Sequence, residues 1–330
     1  MRTLIADVHR TGCRRDTDTQ RRPEMDGGTH FVTLVKPEVL RTSSAADAMV
    51  EVARVLGEAD VTILRCALML AKDFGELGFL IQHYPRLHRI AVDGALGLCS
   101  DARRELASLL DRTGAMVAVG AFEVGAHDTA LSSATLEARC RQAGIHKLGS
   151  GSYASVVELN RHPVAVLNGF VPALASSYCD PTALVGLIEC HSYREIADLR
   201  TQVLGALDPS AASPTSLRGA LGTLVGHHGI TLSAGCNGVH LSAGHLEGMF
   251  QSWRYFAAAD GHGLDRTALG RSLAGRGVAM EAAAALAADH NITEDSGKTV
   301  TPHGVTENLS REAVIDRVWQ WTDTLRGSNA

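Results

Sequence analysis

Cys236-Asn237-Gly238-Val239-His240-Leu241-Ser242 is the stretch on which the fold turns. Residues 238–240 have strand character, and a helix is expected from about 243 to 256. The segment therefore sets an imidazole between a carboxamide and a hydroxyl, beside a helix N-terminus. Such a terminus offers unpaired N–H groups and a partial positive charge, both suited to a phosphate. A histidine there can carry a phosphoryl group on a ring nitrogen. Taken alone, a satisfied structural histidine is the commoner occupant of such a place, so the rest of the chain has to decide.

Outward from this segment, strands and helices alternate. Residues 30–35 (His-Phe-Val-Thr-Leu-Val) read as a buried strand stopped by Lys36-Pro37. Ser43 or Ser44 is placed to cap a helix running to about residue 57. A second strand is expected over 61–69 and a helix over 73–84. In the middle, 88–98 reads as a strand, 101–112 as a helix, 115–122 as a strand and 133–143 as a helix. Residues 149–152 (Gly-Ser-Gly-Ser) read as a loop and 164–167 as a short strand. Then come a buried strand over 181–189, a helix over 193–204, a turn-rich stretch over 208–214 and strand character over 230–234. Helices are expected over 276–289 and 310–326. Residues 1–28, with Arg14, Arg15, Arg21 and Arg22, read as a disordered polar tail. Short segments and uneven linkers suit an α+β sandwich at least as well as a doubly wound sheet.

Composition narrows the function classes. The 330 residues suffice for a large core or for one domain with a substantial insertion. The net charge of −5 argues against a general nucleic-acid surface. No apolar run approaches the ~20 residues that span a bilayer, and the start has no secretory pattern. Seven cysteines without a Cys-x-x-Cys pair point to a reducing, cytoplasmic setting, with no disulfide framework and no structural zinc.

Four anchors fall in one order. Residues 33–40 (Thr-Leu-Val-Lys-Pro-Glu-Val-Leu) end a strand on Lys36, and His83-Tyr84 ends a helix. Asp208-Pro209, followed by Ser213-Pro214-Thr215-Ser216-Leu217-Arg218-Gly219, is a loop closing on an arginine. Asn237-Gly238-Val239-His240-Leu241-Ser242 comes last. In this order the chain resembles the nucleoside diphosphate kinase family. That family has a strand-end Lys-Pro-Asp, an Asn-Pro…Ser-x-Pro-Gly-Thr-Ile-Arg-Gly loop and an Asn-x-x-His-Gly-Ser active site.

The resemblance covers about 29–84 and 181–256, and it implies both a fold and a set of roles. The fold is a ferredoxin-like sandwich with a four-stranded antiparallel sheet over residues 29–256. Residues 85–180 are an insertion in the same globule, and 257–330 form a C-terminal helical extension. His240 is the implied nucleophile. Lys36, Tyr84, Arg218, Asn237 and Ser242 line the nucleotide and phosphate site, with Arg200 as a further arginine one position out of step. Gln251 stands where the family has a glutamate that orients the histidine, and Glu247, one helical turn earlier, is the candidate replacement. Leu207 replaces a small polar residue of the phosphate loop.

The expected activity is transfer of the γ-phosphoryl group of ATP or another nucleoside triphosphate through phospho-His240. The acceptor is a nucleoside diphosphate or a specialised small molecule. Magnesium arrives with the nucleotide, and no metal site of the protein's own is expected. Family members are oligomers, which implies a homo-oligomer. The alternatives are a nucleotide-dependent enzyme with an altered reaction, such as nucleotidyl transfer or hydrolysis, and a catalytically silent nucleotide-binding protein. Ser296-Gly297-Lys298-Thr299 imitates the end of a P-loop but lacks its first glycine, since Ile292 stands there.

Overall fold

The computed structural model describes residues 1–17, 27–41, 45–127, 131–233 and 235–327, without the side chains of 125–127 and 323–327. Arg21, Arg22, the Ser43/Ser44 cap and Ala234 at the end of the expected 230–234 strand lie outside the described residues. The chain divides into two compact units. One comprises Met1–Leu77, Asp180–Ala287 and Thr306–Ala330; the other comprises Gly78–Cys179 and Ala288–Val305. Both are mixed α+β.

The first unit is built on an antiparallel sheet. Its strands, in spatial order, are Arg15–Asp16, Thr62–Leu70, Leu184–Ser192, Thr29–Val35 and Val239–Leu241. Helix Ala45–Glu58 joins the first long strand to the second, and helix Leu217–Gly226 precedes the last strand. Phe31, Val35, Ile188, Cys190, Val239 and Leu241 bury on one face. They share a core with Met49, Val52 and Leu56 of Ala45–Glu58 and with Leu217, Leu221 and Val225. The alternation of a strand then sends His240 to the opposite face, directly across from Leu34. Helix His245–Ser252 packs over strand Thr29–Val35. Gly248 permits that approach, because a Cβ there would stand 2.6 Å from the His30 carbonyl oxygen.

The second unit has a four-stranded sheet ordered Val117–Gly120, His162–Leu167, Ser152–Leu159 and His146–Gly149. Its first pair is parallel and the others antiparallel. It buries two apolar clusters of its own, one around Ile90, Leu106 and Leu167, the other around Val124, Leu136 and Val166. Asn168, fully buried and left-handed at φ 51°, pins this unit. Its amide donates to the carbonyls of Leu87 (2.9 Å) and Gly151 (3.0 Å), and its oxygen accepts from the Tyr153 N–H (2.9 Å).

Several expectations are corrected. The expected insertion, 85–180, falls in the second unit up to Cys179, with apolar clusters of its own. Residues 257–330 are not a purely helical extension: Ile292–Thr293 and Thr299–Val300 form a hairpin in the second unit. Of the P-loop-like residues, Ser296, Gly297 and Lys298 lie in its turn and Thr299 in its second strand. Residues 1–17 are not disordered. Arg2–Thr11 is a helix that buries Val8 and packs Leu4 and Ile5 on the core, and Arg15–Asp16 adds a fifth strand to the expected four. The 88–98 strand is instead helix Pro85–Asp93 with a 3-10 turn, Gly94–Gly97. Proline at the first helical position, with Ile90 and Ala91 buried, decides it. The expected 73–84 helix breaks at Gly78, which sits at φ 74°. Residues 230–233 form no strand.

Candidate functional site

The site sits where strand Thr29–Val35 ends beside strand Val239–Leu241. Val35 pairs with Val239, and the Lys36 N–H then donates to the Gly238 carbonyl at 2.9 Å. Pro37 starts a four-residue helix, Pro37–Leu40, which turns the chain away and leaves the Lys36 side chain at the strand end. Lys36 is buried, and its Nζ donates to Asn237 Oδ1 at 2.8 Å. Two residues 201 positions apart in sequence thus meet through a direct charge-assisted hydrogen bond.

Between them lies a backbone device. Gly238 adopts φ 78°, a conformation that favours glycine. Its N–H donates to Glu38 Oε1 at 2.9 Å, so the carboxylate of the Lys-Pro-Glu turn locks the Asn237-Gly238 turn. Glu38 is itself buried. Sequence reasoning gave Glu38 no role. Its place two residues after Lys36, in an N-terminal turn, was the available signal.

Arg218 is the second buried cation. It sits in the first turn of Leu217–Gly226, whose Ser216 cap accepts from the Gly219 N–H at 3.3 Å. Its guanidinium donates to the Gly205 carbonyl at 3.0 Å. Burial pulls the Lys36 ammonium below its ordinary value. The Glu38 carboxylate opposes that, the Arg218 charge adds to it, and Cys236 opposes it. Two cations are thus held together out of water, with the buried Glu38 carboxylate as a counter-charge to Lys36.

His240 is 21% exposed at its side chain, so it is reachable from outside while held by its strand. Its Nε2 lies 4.0 Å from Glu247 Oε1. Glu247 Oε2 accepts from the Ala243 N–H at 3.0 Å, and Oε1 accepts from Gln251 Nε2. Gln251 Oε1 accepts from the Ser242 hydroxyl at 2.6 Å, and Ser242 Oγ accepts from the Val32 N–H at 3.0 Å.

The predicted residues are therefore sorted by the structure. Lys36, Asn237 and Arg218 come together, with His240 on the adjoining strand and Glu247 and Gln251 behind it. Ser242 is fully buried in the Val32–Gln251 network. Arg200, in the π-helical turn Leu199–Leu204, pairs with Glu307 at 2.8 Å. It also donates to Asn308 Oδ1 (2.5 Å) and the Ala243 carbonyl (3.3 Å). Tyr84 falls in the second unit, between helices Phe79–His83 and Pro85–Asp93, whereas His240 belongs to the first.

The helix N-terminus expected at 243 is also different. The helix is His245–Ser252, continued by a π-turn Trp253–Ala257. Glu247 takes the Ala243 N–H, and a Cβ on Gly244 would stand 2.9 Å from the Thr306 carbonyl oxygen. The positive groups for an anion are thus the side chains of Lys36 and Arg218 more than the helix dipole. Among the described residues no cluster of three or more His, Cys, Asp or Glu is placed to hold a metal ion. None of their helices is long and apolar enough to cross a membrane. None of the seven cysteines is in a disulfide.

No known family's profile matches the chain, and no curated protein matches it.

Proposed function

We propose that this chain is a phosphotransferase of nucleoside diphosphate kinase type, working through phospho-His240. The observation that carries the proposal is the pair of buried cations, Lys36 and Arg218, with Asn237 at the end of the strand beside His240. An oligophosphate is the ligand that such a charge arrangement favours, since phosphoryl transfer needs mostly positioning and neutralised charge. The long strands lie in the spatial order second, third, first, fourth, with helices after the first and after the third. That order supports a ferredoxin-like β-α-β-β-α-β unit with an added edge strand.

In this reading an imidazole nitrogen of His240 attacks the γ-phosphorus, and the bond from that phosphorus to the β–γ bridging oxygen breaks. The nucleoside diphosphate leaves. An oxygen of the acceptor then attacks the phosphohistidine, and the P–N bond breaks. Lys36 and Arg218 hold the phosphates, and Asn237 orients Lys36. Mg2+ enters as part of the nucleotide substrate. The acceptor is a nucleoside diphosphate or a specialised small molecule. A cytoplasmic setting and a homo-oligomer go with this reading through the resemblance.

Incubation with γ-labelled ATP and Mg2+ tests it. Acid-labile, alkali-stable label is expected on the protein, and none on His240→Ala. Absence of label despite measured ATP binding would sink the phosphohistidine mechanism. One observation favours the second reading, a nucleotide-dependent enzyme with an altered reaction. Arg200 is tied to Glu307 and Asn308, which leaves the phosphates one cation fewer. Nucleotide turnover without any protein-bound label supports that alternative.

A further inference from the structure

We infer that Glu307 and Asn308 form an autoinhibitory latch: they occupy Arg200 in the place of an anion, and an oligophosphate entering the site displaces them. The inference rests on the reading of the site as one for phosphates, while its test needs neither a nucleoside nor phosphoryl transfer.

The position of Arg200 carries the first step. It lies in the turn Leu199–Leu204, which packs against the His240 strand, Val239–Leu241. This turn is π-helical, a local irregularity that recurs at functional sites. Gly205 ends it, and the Gly205 carbonyl accepts from Arg218 at 3.0 Å. Arg200 itself donates to the Ala243 carbonyl at 3.3 Å, three residues beyond His240. One short element thus has the buried Arg218 bonded to its end and a second arginine near its start. Five residues, roughly 7 Å at ~1.5 Å per residue, separate Arg200 from Gly205 along the backbone. A chain of linked phosphates spans such an interval, and a single phosphate does not.

The occupants of Arg200 carry the second step. Its Nη1, the nitrogen that reaches Ala243, meets Glu307 Oε1 at 2.8 Å and donates to Asn308 Oδ1 at 2.5 Å. Two side-chain oxygens, one of them charged, thus stand where phosphate oxygens would. Residues 307–310 are a turn between helices Pro302–Thr306 and Arg311–Gly327. This turn rests on the start of the His245–Ser252 helix. The Asn308 N–H donates to the Ala243 carbonyl at 3.3 Å, and the Thr306 carbonyl lies against Gly244. The side chains of Arg200 and Glu307 are 25% and 21% exposed. An ion pair so open to water contributes little to stability, so the carboxylate yields to a ligand of higher charge. With the latch closed, the Glu307 charge repels an incoming oligophosphate. With it open, Arg200 joins Lys36 and Arg218.

The experiment is calorimetric titration of inorganic tripolyphosphate into the full chain. Glu307→Gln removes the charge and keeps the size of the side chain. It should bind at least about threefold more tightly than wild type, because a site closed part of the time loses apparent affinity in proportion to its open fraction. Made on top of Arg200→Met, the same change should give no gain, since the latch then has nothing to withhold. In the wild type, saturating tripolyphosphate should speed amide exchange at Asn308 and Leu309, whose N–H groups bond the Ala243 and Thr306 carbonyls. A folded Glu307→Gln that binds no more tightly than wild type overturns the inference. So does a gain that persists in Arg200→Met, which would be a general effect of charge. If Glu307→Gln does not fold, unchanged exchange at the two amides overturns it instead. An Arg200-dependent gain without any label on His240 from γ-labelled ATP keeps the latch and removes the phosphotransfer reading. Label on His240 with no gain in Glu307→Gln does the reverse.

Discussion

Replacing Lys36 with methionine separates binding from folding at the candidate site. Methionine keeps the length and apolar stem of the side chain and removes only the ammonium. In the wild type that ammonium is buried and hydrogen-bonded to Asn237 Oδ1 at 2.8 Å; burial raises its energy, the Glu38 carboxylate lowers it, and Arg218 raises it again. The folded protein loses one charge-assisted hydrogen bond and the attraction to the buried Glu38 carboxylate, but no longer desolvates a cation beside another cation. These effects oppose each other, each about 1–3 kcal/mol, so the net change in stability should be within about 1 kcal/mol. Binding has no such compensation. A hydrogen bond from a charged donor to phosphate contributes about 1.5–3 kcal/mol. At 1.4 kcal/mol per decade, that weakens affinity about 10- to 150-fold. The assay is calorimetric titration of the Mg2+ complex of a non-hydrolysable ATP analogue, with thermal unfolding as the folding control. An affinity within twofold of wild type, in a variant that remains folded, would refute the assignment of Lys36 as a phosphate ligand.

Three further outcomes follow from specific contacts. Burial holds the His245 imidazole down to about 4 from 6.5, with the Arg311 charge pulling the same way. The unfolded chain therefore takes up this proton first, and stability should be full above pH 6.5 and fall between 6.5 and 4 by up to roughly 3 kcal/mol. His245→Phe should remove that part of the slope in urea unfolding at pH 7.5 and 4.5; an unchanged slope contradicts the buried neutral histidine. Asn168→Ala removes three buried hydrogen bonds and puts alanine at φ 51°. About 3 kcal/mol or more should be lost from the second unit, seen as faster amide exchange in Ser152–Leu159 and His162–Leu167. Gly248→Ala should lower the first unit's stability by more than about 2 kcal/mol, because the added carbon meets backbone at His30. A melting temperature equal to wild type would show that the helix is free to back away.

Elements whose signal is local were the legible ones. Strand Thr29–Val35 carries Phe31, Val32, Leu34 and Val35 and ends at Lys36-Pro37, and helix Ala45–Glu58 follows where its spacing says it should. Helix Pro85–Asp93 was misread because Arg86, His88 and Arg89 break up its apolar stripe. Its Arg86 is buried by bonds to the Gly97 and Asp289 carbonyls, which no period reveals. The Arg2–Thr11 helix was missed because its stripe is only Leu4, Ile5 and Val8, too little to stand without the core beneath it. At the site, Lys36, Asn237 and Arg218 were legible through the order of anchors. Glu38 was not, because its partner is a backbone N–H whose direction depends on the Gly238 conformation. The engagement of Arg200 by Glu307 and Asn308 joins residues more than a hundred positions apart, and neither partner belongs to a motif.

The pairing of Leu70 with Leu184 has a consequence for how the molecule reaches its native state. More than a hundred residues leave the central sheet at one of these leucines and return at the other, its direct neighbour. For an unstructured chain, bringing those ends together costs roughly 4 kcal/mol of loop entropy before any ladder bond forms. Most of that loop, Gly78–Cys179, belongs to the unit with its own core, which Ala288–Val305 completes. Folding of that unit ahead of the ladder removes most of the loop's freedom, and with it much of that entropy cost. The insertion lengthens the sequence separation that the Thr62–Leu70 and Leu184–Ser192 ladder has to span, so folding of its unit ahead of the ladder should speed the ladder's formation.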